Sequence, residues 1–123
     1  MADLLRGLAV LIVEDEFYLA DDLAAALLGV GAKVLGPFGR VEDASRLIES
    51  GEAVDLAILD IDLFGDRVFP VADLLRERGA PFVFATGYDP EIIPERFVGV
   101  PRLEKPMTAA TLIHLLEAIQ QAR

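Results

Sequence analysis

The 123-residue chain contains no cysteine, which excludes a disulfide framework and a thiolate metal site and leaves the compartment open. Basic residues are also scarce. Eleven Lys and Arg against 21 Asp and Glu leave a net charge of −10, so the surface repels nucleic acid and anionic membrane. Neither is expected as a partner. Long apolar runs are missing too: none approaches the roughly 18 residues of a membrane span. The run after Asp3 and Arg6 is stopped by Glu14, too soon for a signal-peptide core and cleavage site. A soluble, cytoplasmic protein is expected. Internal repeats, low-complexity tracts and linkers are absent as well, and the single histidine, His114, lies in an apolar helical stretch that offers it no catalytic role.

What is present is an alternation. Leu8 to Val13, Val54 to Leu59 and Phe82 to Ala85 are short, almost continuous apolar runs, the pattern of strands buried on both faces. Between them apolar residues recur at helical spacing, as in Phe17, Ala20, Ala24 and Leu27, and again in Leu112, Leu115, Leu116 and Ile119. The spacing predicts a first helix over 16–30 closed by Gly29 and Gly31, and a short strand over 33–36 ended by a Gly36-Pro37 turn. Further helices are expected over 41–50, over 66–78 with Pro70 early in it, and from a Thr108 cap to about Gln121. After Thr86 the residues Gly87, Pro90, Pro94 and Gly99 allow only a short, irregular or mobile helix. The expectation is an α/β fold, (βα)5, with a doubly wound parallel five-stranded sheet forming one domain over 1–123.

In such sheets chemistry sits beyond the carboxyl ends of the strands, and polar residues gather there: Glu14-Asp15, Asp60, Thr86 and Lys105. Converging carboxylates repel each other unless a cation offsets them. Oxygen donors alone point to Mg²⁺ or a similar hard ion, held by Asp15 and Asp60, by Glu14 directly or through water, and by the backbone carbonyl of Asp62. Asp60 is also the candidate nucleophile, since a carboxylate can form an acyl phosphate. Lys105 and the metal would neutralise the transferring group, and the Thr86 hydroxyl would bind a phosphoryl oxygen and draw its loop inward. Taken singly, each has a plainer role. Glu14-Asp15-Glu16 would cap a helix, Asp60 and Asp62 would be solvated turn residues, Thr86 would bond backbone, and Lys105-Pro106 would be a turn. Their joint placement at four strand ends favours the site.

With Glu14, Asp15, Asp60, Thr86 and Lys105 at these spacings, the chain resembles the receiver domain of two-component response regulators over nearly its whole length. The resemblance implies the flavodoxin-like strand order 2-1-3-4-5 and a single receiver domain over 1–123 with no output domain. It also implies Mg²⁺-dependent phosphorylation of Asp60 by a histidine kinase or a histidine phosphotransfer protein, slow autodephosphorylation rather than enzymatic turnover, and a Lys105-Pro106 bond that is commonly cis. Phe84-Ala85-Thr86-Gly87-Tyr88 resembles a narrower group, the stand-alone FATGUY receivers of alphaproteobacteria.

Three positions depart from the family pattern. Arg102 stands where an aromatic switch residue is usual, which leaves Tyr88 as a substitute or as a packed loop aromatic. Phe64 replaces a common proline. Asp62 occupies the position that in this family modulates phosphoryl lifetime. Output is then expected through phosphorelay or protein contact, on a surface including Ile92, Ile93, Phe97 and Val98. Exposed, these residues favour a downstream partner or a homodimer; packed inward, they are core. Two alternatives stand beside this reading. Arg102 admits a phosphorylation-independent binding module. Asp60-Ile61-Asp62 also matches the acid pair of haloacid-dehalogenase-like phosphatases, against which stand its place on a middle strand and the lack of a cap.

Overall fold

The computed structural model describes residues 3–87 and 92–123; Tyr88 lies outside the described residues. The chain alternates as β1 (Ala9–Val13), α1 (Phe17–Gly29), β2 (Lys33–Phe38), α2 (Val41–Glu49), β3 (Leu56–Asp60), α3 (Phe69–Glu77), β4 (Phe82–Thr86), β5 (Arg102–Glu104) and α4 (Ala109–Gln121). The five strands form one parallel sheet in the order β2-β1-β3-β4-β5.

Strand side chains alternate between faces, and both faces here are covered. Leu11, Val13, Ala57, Leu59, Phe82 and Phe84 point toward α2 and α3, where they meet Ala44, Ile48, Ala72 and Leu75. Val10, Ile12, Leu56, Ile58 and Val83 point the other way, onto Leu23 and Leu27 of α1 and Leu112 and Leu116 of α4. This is why β1, β3 and β4 read as unbroken apolar runs. The edge strands β2 and β5 have no buried residue: β2 exposes Lys33, Gly36 and Pro37, and β5 exposes Arg102 and Glu104.

Two elements differ from expectation. The second strand runs through Gly36-Pro37 to Phe38 instead of turning there, with a register shift where Val13 pairs Phe38. An edge strand tolerates the missing proline donor. Gly36 at φ 94° is required: a Cβ would lie 2.9 Å from the Ile12 carbonyl oxygen. The third helix begins at Phe69 rather than Asp66, because Asp62–Leu63 and Asp66–Arg67 pair as a small antiparallel hairpin. Its turn residues Phe64 (φ 49°) and Gly65 (φ 87°) both have positive φ, as a type I′ turn requires.

The connection between β4 and β5 is short and irregular, as its prolines and glycines imply: among the described residues there are four α-helices, and this stretch carries a 3-10 turn at Glu95–Phe97, with Pro94 just before it and Gly99 just after. Phe97 is buried among Phe69, Phe82 and Phe84, with ring centroids 5.8, 6.0 and 5.6 Å away. Of the four apolar residues read as a surface, Phe97 is therefore core, Ile92 and Ile93 pack against it, and Val98 alone is exposed. The last helix opens as expected, with the Thr108 hydroxyl accepting from the Thr111 N–H at 3.1 Å.

Candidate functional site

Parallel pairing brings the polar strand ends to one level. Val13 pairs Leu59, so Glu14 emerges beside Asp60; Asp60 pairs Ala85, so Thr86 comes next; Thr86 pairs Glu104, so Lys105 follows. Glu14, Asp60 and Thr86 are the only buried polar side chains among the described residues, and all three sit at strand carboxyl ends. A core that is otherwise apolar has admitted polar groups at one place only, which burial energetics permit only where they are compensated.

The Lys105 ammonium supplies much of that compensation. Its Nζ lies 2.9 Å from Glu14 Oε1 and 3.1 Å from Asp60 Oδ2. Glu14 also accepts the Glu16 N–H at 3.1 Å, and Asp15 accepts the Phe64 N–H at 3.0 Å. The strained backbone of Phe64 thus aims a donor at the cluster, as positive φ at a functional site often does. Glu16 sits at the cap of α1 without a side-chain capping bond, so the capping role weighed for this acidic trio falls to the Glu14 carboxylate.

One ammonium does not balance three carboxylates. Oxygens of Glu14, Asp15 and Asp60 all lie within 4.8 Å of one another. Burial, then the hydrogen bond and charge of Glu14, push the Asp60 carboxyl from 3.8 up to about 7, against the downward pull of Lys105. Partial burial lowers Lys105, but its contacts with Glu14 and Asp60 outweigh this and hold it above its ordinary value. Three hard oxygen donors with surplus negative charge fit a small divalent cation, Mg²⁺ above the softer metals.

Asp15, Asp60, Asp62, Gly87 and Lys105 line an open cleft of about 400 Å³. The cleft thus gathers these five, with Glu14 tied in through Lys105 and Thr86 following Ala85, the register partner of Asp60. Arg102 is exposed on edge strand β5 and is absent from the cleft lining, and Tyr88 is not among the described residues. His114 is exposed on α4, outside the cleft. The Lys105-Pro106 bond is cis. One residue at the rim escaped the sequence reading: Arg67, whose Nη1 lies 2.6 Å from Asp62 Oδ1. A Phe-Gly pair flanked by Leu63 and Asp66 was the available hairpin signal.

An open parallel sheet of order 2-1-3-4-5, with an acidic pocket and a lysine at its carboxyl edge, defines the flavodoxin-like receiver class. No protein-family model matches the chain. Individual relatives do. SdrG from Sphingomonas melonis is 35% identical with a TM-score of 0.78, covering 97% of this chain and 98% of that one. A response regulator receiver protein from Sinorhizobium medicae is 26% identical with a TM-score of 0.78, over 94% and 96% of the two chains. Phyllosphere-induced regulator PhyR of Methylorubrum extorquens is 33% identical over 91 residues, 72% of this chain and 32% of that protein. The chain spans about a third of the length of the curated relatives it matches. It belongs to the receiver domains of response regulators, the signalling modules of two-component systems.

Proposed function

We propose that this chain accepts a phosphoryl group on Asp60 from a phosphohistidine donor, either a histidine kinase or a histidine phosphotransfer protein. The observation that supports this most is the setting of Asp60: buried, at the end of the central strand, 3.1 Å from the Lys105 ammonium and within 4.8 Å of the Glu14 and Asp15 oxygens. In the transfer an Asp60 carboxylate oxygen bonds to phosphorus as the phosphorus–nitrogen bond to the donor breaks, and the imidazole departs. Lys105 faces the charge that develops on the phosphoryl oxygens. Glu14, Asp15, Asp60 and the Asp62 carbonyl would hold Mg²⁺. When bound, the metal supplies charge neutralisation at the phosphoryl oxygens.

The same arrangement serves as a switch. Thr86 ends the strand beside Asp60 and opens the connection to β5. Its hydroxyl would donate to a phosphoryl oxygen, and the pull on residue 87 onward would carry the signal. With Arg102 exposed, an inward-turning aromatic at that position has no part in it; Gly87 at the cleft edge and Tyr88 are the modulating candidates. We further propose a cytoplasmic receiver resembling the FATGUY type. It would signal by relay or by contact with a protein target or a second copy, and release phosphate by slow autodephosphorylation rather than by turnover of external substrates. No helix among the described residues is long and apolar enough to cross a membrane, and the net charge of −10 disfavours nucleic acid.

The test is intact-mass spectrometry after incubation with phosphoramidate and Mg²⁺. One phosphoryl adduct that requires Mg²⁺ and is absent in Asp60→Asn is expected. Absence of any adduct in the wild type would replace this reading with a phosphorylation-independent binding module, and steady turnover of a chromogenic phosphate ester would replace it with a phosphatase.

A further inference from the structure

The cleft contains one carboxylate for which the phosphoryl transfer has no use. Asp62 lines it beside Asp60 and Lys105, with its own N–H 3.4 Å from Asp60 Oδ1. That separation is too long for a good hydrogen bond, but it keeps Asp62 next to the nucleophile. Two residues from Asp60 and half-buried, a free Asp62 side chain would sit where water reaches the phosphorylated aspartate. It is not free: Oδ1 is held at 2.6 Å by the guanidinium of Arg67.

The contact is a product of the hairpin. The turn at Phe64-Gly65 reverses the chain and sets Arg67 opposite Asp62 in register, five residues along the sequence but adjacent in space. It is the shortest ion pair among the described residues. The pairs Arg6–Asp3, Arg40–Glu42 and Arg46–Asp43 lie at 3.3 to 3.6 Å with both partners largely exposed. Asp62 differs in that only 24% of its side chain is exposed. Screening by solvent is weaker there, and the charge-assisted bond correspondingly firmer.

We propose that Arg67 is a positioning residue that lengthens the life of phosphorylated Asp60 by keeping the Asp62 carboxylate from acting on water. The inference rests on the reading that Asp60 carries a phosphoryl group. Hydrolysis requires a water oxygen to bond to phosphorus while the phosphorus–oxygen bond to Asp60 breaks. Asp60 leaves as carboxylate, inorganic phosphate forms, and a proton of the attacking water is given up. A carboxylate at the cleft wall accepts such a proton as a general base. Bound to Arg67, Asp62 has its charge compensated and a lone pair of Oδ1 committed, which makes it a weaker acceptor for the proton of the attacking water.

The experiment loads the full chain with phosphoramidate and Mg²⁺, removes the donor, and follows decay of the adduct by intact mass. Arg67→Ala is expected to shorten the half-life roughly fivefold, the scale set by losing one partly exposed ion pair. Arg67→Lys should fall between it and the wild type, because an ammonium keeps the charge but not the planar fork. In the Asp62→Asn background, whatever its own half-life, adding Arg67→Ala should change nothing, since Arg67 acts only through Asp62. An unchanged half-life in Arg67→Ala overturns the proposal. So does an equal shortening in the Asp62→Asn background, which would assign Arg67 to the phosphoryl group itself or to the fold. If the wild type takes no adduct at all, it is the phosphoacceptor reading that fails, and thermal melts of the same variants separate that result from misfolding.

Discussion

The two connections that flank the acidic cleft are built on opposite plans. From β3 to α3, residues 61–68 are tied at nearly every step. The Ile61 N–H donates to Ala85 at 3.1 Å, the Val68 N–H to Ile61 at 2.9 Å, the Phe64 N–H to Asp15, and Arg67 holds Asp62. From β4 to β5, Phe97 is sunk into an aromatic cluster. The guanidiniums of Arg76 and Arg96 lie 4.8 and 4.6 Å from its ring, and Arg96 forks onto Asp73 at 3.0 and 2.9 Å. The nucleophile's side is preorganised by backbone and side-chain ties, as chemistry demands, while the second connection is pinned by a buried aromatic ring.

Phe97→Ala is the largest test of that difference. Truncating a ring that is 1% exposed should cost about 3–5 kcal/mol in urea denaturation, while the metal affinity of the cleft stays within a factor of about three. A loss below about 1 kcal/mol would mean the aromatic ring does not pin the connection. Next in size, Lys105→Ala should slow phosphorylation by small donors about a hundredfold, the usual cost of removing one group that stabilises developing charge. An undiminished rate would strip Lys105 of that role and leave it a structural counter-ion.

The acidic cluster makes a pH prediction for the chain in chelator. Asp60 has a folded value of about 7 above its ordinary 3.8, so the folded state holds the proton more tightly than the unfolded one. This contribution is complete below about pH 4 and is lost as pH rises through 7. The groups facing it are Glu14, Asp15 and Lys105. Asp60→Asn should therefore raise the melting temperature by a few degrees at pH 8 and change it little at pH 4, and Mg²⁺ should narrow the gap by stabilising the wild type. An equal effect at both pH values would count against burial and the neighbouring Glu14 as the source of the raised Asp60 value. The smallest effect is expected at the hairpin: Phe64→Asn replaces an aromatic at φ 49° with a residue that tolerates the left-handed region. It should stabilise by about 0.5–1 kcal/mol; destabilisation would show that the contact of Phe64 with Arg40, at 5.7 Å, outweighs the strain.

How much of this was legible in advance differs between the same two connections. The strands were readable because both faces of β1, β3 and β4 are covered, which forces unbroken apolar runs. The site was readable for a related reason: parallel strands in register end at one level, so residues just past each run must meet. Asp60, Thr86 and Lys105 could be brought together without knowing a single distance. The hairpin was not seen, since Asp66 and Arg67 look like the charged first turn of a helix and only pairing with Asp62 and Leu63 makes them a strand. Nor could the Pro- and Gly-rich stretch after Thr86 reveal that Phe97 would be its anchor, because four apolar residues there fit core and surface equally well.

By itself, then, the sequence determined the α/β alternation, the carboxyl-edge cluster and its acidic excess. Periodicity and strand-end chemistry are local properties that survive in one dimension. Tertiary structure alone decided which charges pair across turns, that Asp62 belongs to Arg67, and that Phe97 packs between α3 and β4 instead of lying on the surface. Those outcomes depend on which surfaces reach each other first and bury best, and that competition is settled only in three dimensions.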